Sequence, residues 1–589
     1  MVFASRSTPP FPSYQEIPLQ PAAPAEALHA RYWPKRLPRR IAVPETSLWF
    51  NLEVSARRYP DKDAVVFFGR TMSYAELHRQ AESLAGWLQQ SAGVKRGDRV
   101  LLYMQNCPQY LVAFYAILRA DAVVVPVNPM NRAGEFKHYI TDAGAKAAIC
   151  SAELASQVDA ANEAVDAAER LQHLLVTRYA DTMPAQYDDP ADAPPAAMAE
   201  WLMADPPLPG WAVRWQDALA LGQQPGPHEA RAGDLAVMPY TSGTTGLPKG
   251  CMHNHRSIMH NAIGGGMWGQ SSAEGVALGV VPLFHITGMQ YCMHTPIYNG
   301  ATVVLMPRWD RELAGRLISR YQVTHWTCIP TMIIDLLASP NMASFDLSSL
   351  RYISGGGAAM PQAVAERLHA QYGLMFCEGY GLTETAAPSH ANPPERPKLQ
   401  CLGMPFLGVE SRVVDPTTLE ALPPGEVGEI VTHGPQVFQG YWRNPEATRA
   451  AFVELDGKPF FRTGDLGRMD EDGYFFLTDR LKRMINASGF KVWPAEVEAL
   501  LYKHPDVQEA CIIAARDAYR GESVKAVVVL KEAARGRVTE DQIIEWARGQ
   551  MAAYKYPRSV EFVDTLPKSG AGKVMWRLLQ DRENERQAS

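Results

Sequence analysis

The 589-residue chain has no Cys-x-x-Cys pair and no His/Cys cluster at metal-ligand spacing, so its eight cysteines do not read as a zinc site or a redox dithiol. Cys150, Cys328 and Cys511 lie in apolar runs, which predicts buried thiols, and scattered free cysteines fit a reducing, cytoplasmic compartment. No run of 18 apolar residues occurs, because Arg119 and Asp121 break the longest candidate; this argues against a spanning helix. An excess of positive charge is also missing. The net charge is −6, which argues against nucleic acid as the main partner. The first 45 residues are rich in Pro and Ala and carry Arg31, Lys35, Arg36, Arg39 and Arg40, but they lack the apolar core of a signal peptide. They read as an N-terminal arm, mobile or draped over the rest. Asn486-Ala-Ser488 fits a glycosylation sequon and is discounted in a chain of this kind. What is abundant is apolar sequence, 47% of residues, enough for a large core.

From Ser73 onward apolar periodicity alternates. Tyr74–Gln90 has helical spacing with Leu77, Ala81, Leu84 and Leu88 on one face, and 108–118 and 135–141 are further helices. Short apolar runs at 100–104, 122–127 and 147–150 separate them as strands. Alternation of this kind predicts a parallel sheet covered on both faces. Residues 180–230 break the rhythm with Pro, Ala and Asp and read as a surface excursion. Beyond it, strands are expected at 235–238, 276–281, 302–305, 324–329, 351–354 and 375–377, with helices at 311–321, 332–337 and 363–371. Two glycine-rich turns, Gly355-Gly356-Gly357 and the one at Gly379, follow strands, where open α/β sheets bind ligands. Gly264-x-Gly266-x-x-Gly269 matches a dinucleotide fingerprint in letters but sits in a helical pattern, which excludes that reading. From residue 409 the texture turns to short strands, and from about 480 a small α+β unit follows.

Residues 240–250, YTSGTTGLPKG, concentrate glycine, hydroxyls and one lysine. Gly243, Gly246 and Gly250 let backbone amides turn toward a single anion; Thr241, Ser242, Thr244 and Thr245 add hydroxyl donors, and Lys249 adds charge. Such a loop suits a polyphosphate. The Walker spacing is absent, since Lys249 is followed by glycine. A surface turn is the alternative from composition alone. The loop does not stand alone: GYGLTET (379–385), RTGDLG (462–467), DRLKRMINASGFKVWPAEVE (479–498) and PKSGAGKVMWR (567–577) follow in order. Together these stretches resemble the phosphate loop and later motifs of the adenylate-forming superfamily, in its acyl-CoA synthetase branch. The likeness spans most of the chain after about residue 45.

That resemblance implies an α/β protein: an arm at 1–45, a large AMP-binding domain at 46–479 with parallel and mixed sheets and a β-rich subdomain, and a small mobile α+β domain at 480–589. It implies ATP, Mg²⁺ and the co-substrate CoA. A carboxylate attacks the α-phosphate, giving acyl-AMP and pyrophosphate, and a thiol then displaces AMP. By resemblance Glu384 holds Mg²⁺ beside Thr383, and Tyr380 stacks on adenine between Gly379 and Gly381. Gly356, Gly357 and Ala358 line the other side of the base. Asp465 and Arg480 reach the ribose, and Lys573 bridges the attacking carboxylate and the α-phosphate. Lys482 is the hinge, Ser488, Gly489 and Phe490 line the pantetheine path, and His285 guards the carboxylate site. A solvated surface role is the alternative for Glu384, Arg480 and Lys573, and a core role for Tyr380 and His285.

No aspartate stands near His285 to hold a substrate ammonium, whose burial unpaired would be costly. Ile286, Met289, Tyr291, Trp326, Ile329 and Thr331 are mostly apolar pocket candidates, or core. The form of the 479–498 motif most resembles fatty-acid ligases, so a medium- to long-chain fatty acid is expected; benzoates or hydroxycinnamates are the alternative, and a loader of a carrier protein is a third reading. The absence of a carrier domain after residue 589 favours free CoA. A homodimer and peripheral membrane contact are compatible with this reading.

Overall fold

The computed structural model describes residues 28–588 apart from 242–246, 358, 481–482, 484, 488–489, 493, 518–520 and 569–573. Two of the longer helices begin at a capping side chain. Ser73 accepts the Glu76 N–H at 3.2 Å and opens Tyr74–Gln90, whose Leu77, Ala81, Leu84 and Leu88 are buried. Asp310 accepts the Leu313 N–H at 2.8 Å and opens Arg311–Tyr321, which ends at Gln322 in the left-handed region.

Two large sheets carry the N-terminal part. The first has nine strands in the order Met404–Pro405, Ala387–Ala391, Phe376–Leu382, Tyr352–Gly355, His325–Cys328, Val276–Gly279, Thr302–Leu305, Asp63–Phe67 and Arg70–Ser73. Its middle pairs are parallel and its two ends antiparallel. The second has seven strands in the order His253–Asn254, Leu235–Val237, Val123–Pro126, Arg99–Tyr103, Ala147–Ser151, His173–Thr177 and Ala212–Arg214. Helix Pro108–Arg119 touches strands of both sheets and is buried from Pro108 to Leu118, which is why its sequence has no polar face. An antiparallel sheet of Glu410–Val414, Gly428–His433, Phe452–Leu455, Lys458–Met469 and Phe475–Arg480 follows. The last sheet, built from 485 onward, has five strands and is covered by Pro494–Leu501 and Glu540–Gln550. All eight cysteines, including Cys150, Cys328 and Cys511, are free and buried.

Two sequence expectations are corrected. The strand expected at 375–377 runs on as Phe376–Leu382, because Gly379 and Gly381 lie in a ladder with Ala387–Ala391 rather than in a turn. A β-carbon at Gly381 would stand 1.7 Å from the Ala387 carbonyl oxygen, so close backbone approach explains the glycine. The excursion at 180–230 is not only surface: it returns an edge strand, Ala212–Arg214, and buries Leu202 and Trp215. The described part of the N-terminal arm is draped on the fold, with Arg36 donating to the carbonyls of Met267 and Trp268 at 2.6 Å each and Trp33 edge-on to Trp268. The rejected glycine fingerprint lies wholly within helix His255–Gly269. Its glycines admit neighbours, since a β-carbon at Gly264 would meet the Phe406 ring at 2.6 Å and one at Gly266 the Asn299 amide at 2.5 Å.

Candidate active site

Thr241 and Lys249 face each other across a two-stranded antiparallel pair, Tyr240–Thr241 with Lys249–Gly250. Ser242, Gly243, Thr244, Thr245 and Gly246, between these two strands in sequence, lie outside the described residues. The base of this hairpin is anchored on both sides. Tyr240 donates its hydroxyl to Asp142 at 2.6 Å, and the Trp442 N–H donates to the Gly250 carbonyl at 2.8 Å. Cys251 bridges to Tyr441, which brings the tyrosine under the lysine: Lys249 Nζ lies 4.5 Å from the Tyr441 ring centre.

Tyr441 in turn donates its hydroxyl to Glu384 Oε1 at 2.8 Å. Lys249 and Glu384 are therefore held on two sides of one buried ring. Burial, and next the Glu384 charge, push the phenol far above its ordinary range, so it stays a donor. Glu384 itself is 9% exposed, in the single turn Thr383–Thr385. His253 Nε2 donates to the Thr383 carbonyl at 2.7 Å, and burial lowers this imidazole to about 4, so it remains neutral. Among the described residues no group of three or more His, Cys, Asp or Glu side chains could hold a metal. One hard carboxylate, joined through Tyr441 to Lys249, is a donor set that fits Mg²⁺, which takes one or two carboxylates and completes its shell with other oxygen ligands and water. Tyr441 was not found by sequence reasoning; it lies 57 residues from Glu384, outside the stretches that carry the resemblance.

The other end of the site is built on the same strand. Tyr380 donates its hydroxyl to Asp465 Oδ2 at 2.5 Å. Asp465 is 1% exposed and lies in Lys458–Met469 directly opposite Arg480, of which only the strand position is described. The frame beneath Asp465 is fixed: Glu429 takes the Gly464 N–H at 3.2 Å and pairs with Arg462, while Thr463 Oγ1 takes the Asp465 N–H at 3.1 Å. The Gly355–Gly357 turn meets strand Phe376–Leu382, which carries Tyr380, closely. A β-carbon at Gly356 would stand 2.2 Å from the Gly379 carbonyl oxygen, and Gly357 has φ +86°, so both positions demand glycine. Ala358 lies outside the described residues.

Glu378, one residue before Gly379, also escaped the sequence reading. It is 6% exposed, and its Oε1 accepts the Gln400 N–H at 2.9 Å and the Met360 N–H at 3.3 Å. Burial raises this carboxyl to about 7, against the two amides. The carboxyl thereby ties the end of the glycine turn to the tyrosine strand.

His285 is exposed and caps Ile286–Met289, its Nδ1 accepting the Thr287 N–H at 3.3 Å. Of the pocket candidates, Ile286, Met289 and Trp326 are buried in the main core, Tyr291 and Ile329 pack against it, and Thr331 is exposed. Lys482, Ser488, Gly489 and Lys573 lie outside the described residues, and Phe490 is described only as the start of strand Phe490–Val492. The flanks of the 569–573 segment are joined by a bridge between Lys568 and Val574 and by the Met575 N–H donating to the Pro567 carbonyl at 2.7 Å.

Residues 52–442 match the AMP-binding enzyme family, and residues 496–573 match the AMP-binding enzyme C-terminal domain. The chain is 34% identical over 561 residues to a long-chain-fatty-acid–CoA ligase of Bacillus subtilis, covering 94% of this chain and 97% of that one. It is 36% identical over 525 residues to a feruloyl-CoA synthase of Amycolatopsis, covering 88% and 96%. Its fold superposes on ATP-bound MatB from Rhodopseudomonas palustris with a TM-score of 0.79 at 28% identity, over 92% of this chain and 100% of that one. The chain thus belongs to the AMP-binding enzyme family, in the acyl-CoA synthetase branch of the adenylate-forming superfamily.

Proposed function

We propose that this AMP-forming acyl-CoA synthetase activates a medium- to long-chain fatty acid as acyl-AMP and passes the acyl group to CoA. The observation that carries the reading is that strand Phe376–Leu382 and the turn after it present Tyr380 with Asp465 at one end and Glu384 with Tyr441 and Lys249 at the other. The two ends suit the two ends of ATP. Tyr380 offers a ring for the base, and Asp465 offers carboxylate oxygens to the ribose hydroxyls. Lys249 supplies charge to the phosphates from the base of the 242–246 loop, and Glu384 would hold Mg²⁺. The metal, when bound, neutralises charge on the phosphates as the carboxylate approaches. Lys573 would meet the attacking carboxylate and the α-phosphate, and Thr244 the phosphates. His285, exposed at the start of its helix, would border the carboxylate.

The two half-reactions make different demands on the small domain, which we place at 480–589. Lys573 serves adenylation, whereas Ser488, Gly489 and Phe490 serve thiol entry; a rotation about Lys482 would exchange them. Arg480, at the last position of its strand, would reach the ribose. A cytoplasmic location belongs to the same proposal and is supported by eight buried free thiols.

A fatty acid is favoured by the apolar residues after His285 and by the absence of an acidic partner there for an ammonium. The 36% identity to a feruloyl-CoA synthase supports an aryl acid as the second reading. A pyrophosphate-release screen over fatty, aryl and amino acids, with and without CoA, tests this. Turnover is expected with C8–C18 acids; turnover confined to hydroxycinnamates or amino acids would reject it.

A further inference from the structure

The turn that follows Glu384 is strained. Ala386 and Ala387 have φ of 50° and 79°, although neither is glycine, and both are buried. Consecutive left-handed alanines persist only where the surroundings over-determine them. Here side-chain donors converge on the carbonyls of the turn. Asn261, in mid-helix and fully buried, places Nδ2 at 3.1 Å from the Thr385 oxygen, 2.8 Å from Ala386 and 3.2 Å from Pro388. Gln290 donates Nε2 to the Ala386 oxygen at 3.2 Å and to the Ile258 oxygen at 3.2 Å. Thr385 Oγ1 donates to the Ala387 oxygen at 2.7 Å.

Gln290 is the more telling residue. It opens the π-helical stretch Gln290–His294, a form that recurs at functional sites, directly after Ile286–Met289. Its Oε1 is buried and finds no hydrogen-bond partner among the described residues. A buried unpaired acceptor is a cost that an apolar side chain of the same shape would not carry. Stability alone does not account for an amide there, whereas its donor is spent on a strained carbonyl two residues beyond Glu384.

We propose that Asn261 and Gln290 are positioning residues, whose amides clamp the turn 385–388 in its left-handed form and so aim the Glu384 carboxylate at the metal and phosphates. The proposal rests on the reading of Glu384 given above. Both side chains are fully buried and act through the backbone of the turn. Ala386 and Ala387 then mark where the strain is stored, and Gly381 marks where the Ala387 carbonyl must pass.

The test measures binding rather than turnover: Mn²⁺ titrated by electron paramagnetic resonance in the presence of α,β-methylene-ATP, for the wild type, Glu384→Gln, Asn261→Leu and Gln290→Met. The two amide variants should weaken Mn²⁺ binding about tenfold or more, the scale for partners that orient a metal ligand. Ala386→Gly in the Asn261→Leu background should recover most of that affinity, because glycine adopts the turn without a clamp. Gln290→Met preserves volume and stands in should Asn261→Leu fail to fold. Mn²⁺ binding unchanged in the amide variants but weakened in Glu384→Gln would overturn the clamp and leave the Glu384 reading intact. Binding unchanged in Glu384→Gln would remove that reading, and the clamp with it.

Discussion

Tyr380→Phe isolates the hydroxyl of the residue proposed to face adenine while leaving its ring for stacking. The hydroxyl donates to Asp465 Oδ2 at 2.5 Å, and Asp465 is 1% exposed, so the bond is charge-assisted and shielded from water. Hydrogen bonds to charged groups contribute about 1.5–3 kcal/mol. If the bond aligns Asp465 for the ribose, the ATP KM should rise about tenfold or more in Tyr380→Phe. The KM for the acid should change less than about twofold, because the acyl site lies elsewhere. Asp465→Ala should raise the ATP KM further, as it removes both the bond and the ribose acceptor. The double variant should resemble Asp465→Ala, with a coupling of at least about 1 kcal/mol. ATP–pyrophosphate exchange at saturating fatty acid measures all four forms. Effects that add within about 0.5 kcal/mol would show that the hydroxyl does not work through Asp465.

Glu378→Gln should stabilise the protein at high pH. The native carboxyl is raised from 4.5 to about 7, so its stability contribution is whole below about 4.5 and is lost as pH rises through 7. The glutamine variant should therefore gain on the order of 3 kcal/mol at pH 8 relative to pH 5, read by urea unfolding at both. In the acid range the opposite sign holds for His253, lowered to about 4, and for His255, His294 and His390, each lowered to about 3 by burial. Their contribution is present above 6.5 and is lost as pH falls toward 4 and 3; a Tm flat between pH 6.5 and 4.5 would contradict their burial as neutral rings. Lys573→Ala should lose about 10²-fold or more in acyl-AMP formation yet keep thioester formation from supplied acyl-AMP, and equal loss in both would exclude a role in one step.

Much of the fold was legible because local chemistry and tertiary burial agree. Tyr74–Gln90 and Arg311–Tyr321 combine an amphipathic stripe with a Ser73 or Asp310 cap, and both helices fall at the residues their pattern indicates. Phe376–Leu382 was half legible, since glycines that serve a tight antiparallel ladder look like turn residues to any local reading. Ala212–Arg214 has three residues, none of them buried, and is too short to announce itself; only its parallel pairing with His173–Thr177 makes it a strand. Within the site, Glu384, Tyr380 and Asp465 carry a legible motif context, and the structure brings the last two into one hydrogen bond. Tyr441, Glu378, Asn261 and Gln290 were illegible for a common reason. Each acts by reaching a residue at least 18 positions away or a backbone carbonyl of another element, and no spacing rule encodes such a contact.

The most direct measurement of the central claim is a rapid-quench single turnover with radiolabelled palmitate, ATP and Mg²⁺, resolving acyl-AMP from acyl-CoA. Without CoA, acyl-AMP should accumulate together with an equal amount of pyrophosphate; when CoA is added, it should be converted to acyl-CoA with release of AMP. Formation of ADP and phosphate, or acyl-CoA appearing with no acyl-AMP before it, would contradict the account.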